Sequence, residues 1–172
     1  MSAQPKQIGK TFAFIFWGLL LAFFYFFFSD ELAEQQNPNQ TPNSFVVGEQ
    51  KILILQRNRF GHYVSSGFIN DQKVVFMLDT GATNVAVPKE VADKIGLAYG
   101  QTMRVNTANG ITTAYRTNIA HLKLGEIELE NVNASIVPGM KGPQILLGMS
   151  VLKQVEFSQV GDQLTLKLAR QY

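Results

Sequence analysis

Hydrophobic and polar positions divide this chain into three regimes. From Thr11 to Phe28, "TFAFIFWGLLLAFFYFFF" is apolar on every side for 18 residues and carries no charge. Wound as a helix it spans roughly 27 Å, close to a bilayer's hydrocarbon thickness, so it is predicted to be a transmembrane anchor. From Ser29 to Ser44, "SDELAEQQNPNQTPNS" reverses the balance. Its polar residues and two prolines predict a disordered tether with a root-mean-square span of roughly 20–25 Å. From Phe45 to Tyr172, short apolar stretches alternate with turn residues, as in a domain of many short strands.

Within residues 45–172, "FVVGEQKILILQR" predicts one or two strands. "HYVSSGFIN" and "KVVFMLD" flank "NDQ" and read as a hairpin. "MRVNTANGITTAYRTNI" reads as a second, around Asn109-Gly110, and "VEFSQVGDQLTLKLAR" as a last one turning at Gly161-Asp162. "AHLKLGEIELENVNASIV" alternates apolar and polar residues about a turn at Gly125-Glu126. "PKEVADKIGL" has Pro88 in its first turn, Glu90 early, Lys94 late and Gly96 as a stop, which predicts a short helix. "ILLGMSVLKQV" predicts a short strand running into another short helix. The expected fold is all-β: a small, closed or strongly folded β-domain with two short helices. "VVFMLDTGATNVAVP" and "PQILLGMSVLKQV" form a weak two-fold echo, each an apolar strand, then Gly, then a helix.

Charge orients the anchor. Lys6 and Lys10 precede it, while Asp30, Glu31 and Glu34 follow. Residues 1–10 are therefore expected in the cytoplasm, residues 11–28 in the membrane, and the tether (29–44) and domain (45–172) on the far side. In a bacterium this means a single-pass inner-membrane protein with its domain in the periplasm. The run ends without an A-x-A-like exit, which argues against a cleaved signal peptide. Past the tether, thirteen Lys/Arg stand against ten Asp/Glu without a basic block, so nucleic acid is not an expected partner. The absence of cysteine excludes disulfides and thiolate catalysis. His62 and His121 have no partner at metal-ligand spacing, so no metal and no cofactor are expected, and His62 is assigned to packing or hairpin bonding. There is no G-x-S-x-G and no P-loop. The sequons at Asn39 and Asn133 are read as chance.

Asp79 is the residue that carries chemistry. It sits at the end of the apolar "VVFML", where an isolated charge is too costly unless it is hydrogen-bonded or protonated. Thr80 and Gly81 supply a hydroxyl and a backbone whose amides can approach the carboxylate. The plain alternative is an Asx-turn at a strand end.

"FMLDTGATNVAVP" resembles the active-site loop of the aspartic proteases, in the D-T-G-A form of single-domain, retropepsin-like enzymes. "ILLGMSVL" (Ile145 to Leu152) resembles the hydrophobic–hydrophobic–Gly element these enzymes carry late in the chain, and "TANGITTA" stands where they place a hairpin flap. The anchor, the tether and "GHYVSSGFINDQKVVFMLDTGATNVAVPKEVADKIGL" are together similar to the membrane-anchored retropepsin-like family of bacteria. The resemblance covers residues 51–172.

That resemblance implies a retropepsin-like closed β-barrel and a peptide-bond hydrolase. Such chemistry needs two carboxyls sharing one proton, one acting as base on a water and the other polarising the scissile carbonyl. The other aspartates past the tether, Asp71, Asp93 and Asp162, lie in no comparable loop. The expected partner is a second copy of the chain, a two-fold axis bringing Asp79 against its equivalent. By resemblance Asp79 is catalytic, and Thr80 bonds across the dimer axis. Gly81 lets the loop turn back, and Leu147 and Gly148 pack behind it. Asn109 and Gly110 tip a flap that closes over a substrate bound as an extended strand. Ala82 cannot donate to the carboxylate as a Ser or Thr would, so a less acidic optimum is expected than for a D-T-G-S/T enzyme. Two rival expectations are a non-catalytic retropepsin-fold module that binds or scaffolds envelope proteins, and a tethered β-domain with no protease relationship.

Overall fold

The computed structural model describes residues 5–107 and 110–168. The chain divides into two units, Met1–Gln35 and Gln36–Tyr172.

Among the described residues the first unit is helix α1 (Pro5–Gln36), whose last residue already belongs to the second unit. Its stretch Gly9–Gln36 is long and apolar enough to cross a membrane, and none of its described side chains is fully buried in protein. The helix runs eight residues beyond the predicted anchor, because "SDELAEQQ" holds good helix formers and no proline before Pro38. Gln35 Nε2 donates to Glu31 Oε1 at 3.3 Å one turn back.

The rest of the predicted tether is ordered as well. Asn37 and Asn39 are 9% and 3% exposed. The Asn39 side-chain amide donates to the carbonyls of Gln56 (2.9 Å) and Val64 (2.7 Å), while its Oδ1 accepts from Gln56 N–H at 2.8 Å. Its own carbonyl accepts from Ser66 N–H at 3.0 Å, and Asn37 Nδ2 donates to Ser66 Oγ at 3.1 Å. The disordered tether expected at 29–44 and the domain start expected at 45 are thus corrected: the compact unit begins at Gln36. Composition resembled a linker, but the two carboxamides supply bonds that backbone groups would otherwise lack.

Eleven strands and two short helices follow among the described residues. β1 (Asn43–Val47) and β2 (Gln50–Gln56) form a hairpin, as do β3 (Val64–Ile69) and β4 (Gln72–Leu78). The second hairpin turns on Asn70 and Asp71, both at positive φ (46° and 64°), the conformation of a two-residue hairpin loop. β5 (Val85–Pro88) leads into α2 (Lys89–Lys94). Pro88 therefore closes a strand and caps the helix rather than lying in its first turn, and Gly96 (φ +70°) stops it as expected. β6 (Thr102–Thr107), β7 (Gly110–Leu124) and β8 (Ile127–Val137) form a meander. β9 (Gln144–Leu147), α3 (Met149–Leu152), β10 (Val155–Val160) and β11 (Gln163–Leu168) complete the chain.

A four-stranded sheet has the order β1-β2-β11-β10. A seven-stranded sheet has the order β3-β4-β9-β5-β8-β7-β6 and curls until β3 also meets β7, through Phe68↔Lys123 and Ile69↔Leu122. Six strands thereby form a ring, closed over only two residue pairs, which makes the expected retropepsin-like barrel a narrowly closed one. Period-two burial fills it. Phe76, Val85, Val87, Ile119, Ile136 and Ile145 are wholly buried in one core, which Leu53 and Leu55 of the smaller sheet join.

Candidate active site

The site is built where β9 enters between β4 and β5. β4 and β9 run parallel, Phe76↔Ile145 to Leu78↔Leu147, and β5 touches β9 at Ala86↔Leu146. The sequence echo is in part a physical pairing: the two apolar strands lie side by side, but β9 runs straight into α3, whereas the β4 loop leads into β5 before α2 is reached.

At the end of β4, Asp79 N–H donates to the Leu147 carbonyl at 3.1 Å, fastening the carboxylate-bearing residue to the neighbouring strand. Gly81 N–H donates to Asp79 Oδ1 at 2.9 Å, and Ala82 N–H to the Asp79 carbonyl at 3.2 Å. The carboxylate is half-buried and the loop folds back over it, with Thr80 and Gly81 exposed. The amide approach expected of Gly81 is present, and so is the Asx-turn of the plain alternative, since one contact serves both.

Gly148 is the counterpart on β9, buried beneath the Asp79 loop. A Cβ at this position would run into the Asn84 carbonyl and lie 2.6 Å from that of Ala82, so only glycine passes here. Just beyond it, Met149 N–H donates to Ala82 O at 2.8 Å and Ser150 N–H to Thr83 O at 2.9 Å. The first amides of α3 are satisfied by the loop rather than by a side-chain cap. Leu147, 1% exposed, packs into the core behind.

Asp79 opens onto a groove of about 740 Å³. Its walls come from the Asp79–Ala86 segment, Met103 and Val105 of β6, Ser135 and Val137 of β8, and Leu146 of β9. Among these lining residues Asp79 is the sole ionisable one. The other aspartates are engaged elsewhere. Asp71 holds a hairpin turn, and Asp162 pairs with Arg57. Asp93 accepts from Lys89 Nζ (2.6 Å) and Tyr99 Oη (2.5 Å), bonds that hold its carboxyl below the usual range. Among the described residues no group of acidic and histidine side chains could hold a metal. His62 sits in a loop and bonds only through its backbone in the contacts seen, its N–H to Asn58 Oδ1 at 2.9 Å and its carbonyl from Asn58 N–H at 2.8 Å.

The predicted flap is the β6–β7 hairpin, whose strands pair Thr107 with Gly110. Gly110 is exposed at φ +105°, while Asn109 lies outside the described residues. The sequence reading singled out neither β5 nor the groove-lining Met103, Val105 and Ser135. β5 is four residues long and lies inside "TNVAVP", too short for a period to emerge. The apolar residues of β6 alternate with polar ones, and that alternation could have pointed to a face turned toward the loop.

A β-domain with one D-T-G loop braced by a glycine-terminated strand defines a class, and comparison with known proteins agrees. Residues 65–154 match the family described as "gag-polyprotein putative aspartyl protease". The chain belongs to this family, the retropepsin-like aspartyl proteases. Its fold matches the crystal structure of a retropepsin-like aspartic protease from Rickettsia conorii, with 31% identity and a TM-score of 0.59, covering 74% of this chain and 96% of that one. In sequence it is 33% identical over 124 residues to "Uncharacterized protein in cobV 5'region" of Sinorhizobium sp, covering 70% of this chain and 53% of that protein. It is 30% identical over 115 residues to "Uncharacterized protein RP867" of Rickettsia prowazekii, covering 58% and 48%. The chain thus spans about half the length of the curated relatives it matches.

Proposed function

We propose that this chain is an aspartic endopeptidase of the bacterial envelope, active as a homodimer, anchored by α1 with its domain in the periplasm. The observation that carries the reading is Asp79, a carboxylate oriented by Gly81 N–H in a groove whose other lining residues are all uncharged. One subunit offers a single carboxyl where the chemistry needs two, so a second copy contributes the other across a two-fold axis. One Asp79 takes a proton from water while the other, protonated, polarises the scissile carbonyl. Thr80, exposed beside it, bonds to the opposite loop. The substrate lies extended along the groove beneath the β6–β7 hairpin, with Gly110 at the start of β7 beside it. Two anchored domains in one membrane meet at high effective concentration, so modest affinity between them is adequate.

The Asx-turn gives Asp79 a structural use as well, and this favours the second reading, a non-catalytic module that binds envelope proteins. Peptide-library cleavage by the full chain in detergent, wild type beside Asp79→Asn, from acidic to neutral pH over a concentration series, separates the two. The peptidase reading expects cleavage that rises faster than linearly with protein and falls roughly 10³-fold or more in the mutant. A dimer that cuts nothing would leave the binding module.

A further inference from the structure

The loop between β2 and β3, Arg57 to Tyr63, is built as a rigid platform. Asn58, 9% exposed, accepts through Oδ1 from the N–H groups of Phe60 (3.0 Å) and His62 (2.9 Å). Its carbonyl accepts from Gly61 N–H at 3.0 Å. Its side-chain amide donates to the carbonyl of Gln36 at 2.9 Å. Gln36 is the last residue of α1 and the first of the compact domain, eight positions beyond the final Phe of the apolar run.

On this platform the Phe60 side chain is 60% exposed, with the Arg59 guanidinium 5.1 Å from its ring centre. The β10–β11 turn adjoins it. Arg57 N–H donates to the Asp162 carbonyl at 2.9 Å and the Arg57 guanidinium pairs with the Asp162 carboxylate. Val160, the last residue of β10 before that turn, is 80% exposed. An aromatic ring, a branched apolar side chain and an unburied guanidinium therefore share the end of the domain at which the chain arrives from α1. Water gains nothing from a fixed, projecting Phe. A bilayer interface does, because apolar side chains such as Phe insert at the headgroup–acyl boundary and Arg places its charge among phosphates.

We propose that this end of the domain, led by Phe60 and Val160 with Arg59, docks on the lipid surface that α1 enters. The inference rests on α1 crossing a membrane. Since the platform is held by backbone and Asn58 bonds, docking orders little that is not already ordered. The domain is thereby held in one orientation on the bilayer, which limits the ways two copies can meet.

The chain contains no cysteine, so single nitroxide labels can be placed cleanly. The full chain is reconstituted in vesicles of phosphatidylcholine and phosphatidylglycerol and labelled at Phe60→Cys, Val160→Cys, Ile111→Cys or, within α1, Leu19→Cys. Relative accessibility to oxygen and to a water-soluble nickel chelate gives the depth of each label. Labels at 60 and 160 are expected at the interface, with an oxygen-to-nickel ratio several-fold above that at 111, and Phe60→Ser should return the label at 160 to water. Water-like values at 60 and 160 with Leu19→Cys deep in the bilayer would overturn the docking and leave the anchor standing. A water-exposed label at 19 would remove the anchor and the docking together. Equal lipid exposure at 60, 160 and 111 would show no defined docking face and overturn the proposal. So would immobilisation at 60 that is relieved when the protein is diluted into excess lipid, since the occupant would then be a second copy.

Discussion

β4 and β9 lie side by side in parallel, and each ends at a glycine-containing loop, yet the two loops do different work. The β4 loop presents Asp79 to a groove and is half open to solvent, and its Gly81 touches a side chain. The β9 loop is buried, carries no polar side chain at the equivalent place, and its Gly148 touches only backbone. One copy of a shared motif presents the carboxylate and the other holds the first copy in position.

The sharpest way to break this comparison is to add one methyl group to each glycine. At Gly148 the new Cβ meets the Asn84 and Ala82 carbonyls, which belong to the loop's backbone and have nowhere to go. Gly148→Ala should cost roughly 3 kcal/mol or more and lower the melting temperature by about 10 °C or more, if it folds at all. Thermal denaturation followed by circular dichroism measures it. Asp79→Asn should lose activity while melting near wild type, because the new carboxamide oxygen still accepts from Gly81 N–H. A large fall in melting temperature would mean that the carboxylate is chiefly structural.

At Gly81 the added Cβ would stand 3.1 Å from Asp79 Oδ1, the end of a side chain that can yield by a few tenths of an ångström. Gly81→Ala should therefore spare the melting temperature and lower turnover by roughly 10- to 100-fold, as expected when a reacting group is misplaced. Equal damage to stability from both alanines would erase the distinction between the loops. The smallest effect is expected at Ala82. Ala82→Ser supplies a donor that favours the ionised carboxylate, so the acid limb of the pH–rate profile should move to lower pH with little change at its maximum. An unmoved limb would mean that the hydroxyl does not reach Asp79.

Much of this architecture is readable along the chain because it is local. Asn70-Asp71 and Gly161-Asp162 mark hairpin turns by conformations that few residues adopt, and Gly96 stops α2 for the same reason. Asp79 is conspicuous because a charge at the end of an apolar strand needs an explanation. The insertion of β9 between β4 and β5 is not local: it pairs residues sixty to seventy positions apart, and nothing in the apolar pattern of "PQILLG" announces its neighbours, so that only the family resemblance places Leu147 and Gly148 behind the Asp79 loop. The groove inherits that difficulty, since Met103, Ser135 and Leu146 converge only once the sheet has curled. The misread tether has another cause. Asn37 and Asn39 have the composition of a solvated linker, and only the backbone groups waiting at Gln56 and Val64 make them interior residues.

Those asparagines also decide how the domain can be parted from its helix. A cut before Gln36 leaves every bond of Asn37 and Asn39 in place and sets free a domain with its clasp intact. A cut just after Asn39 lets the clasp leave with α1, and strands the N–H and carbonyl of Gln56, the carbonyl of Val64 and the N–H of Ser66. Within a few residues of chain, shedding turns into dismantling.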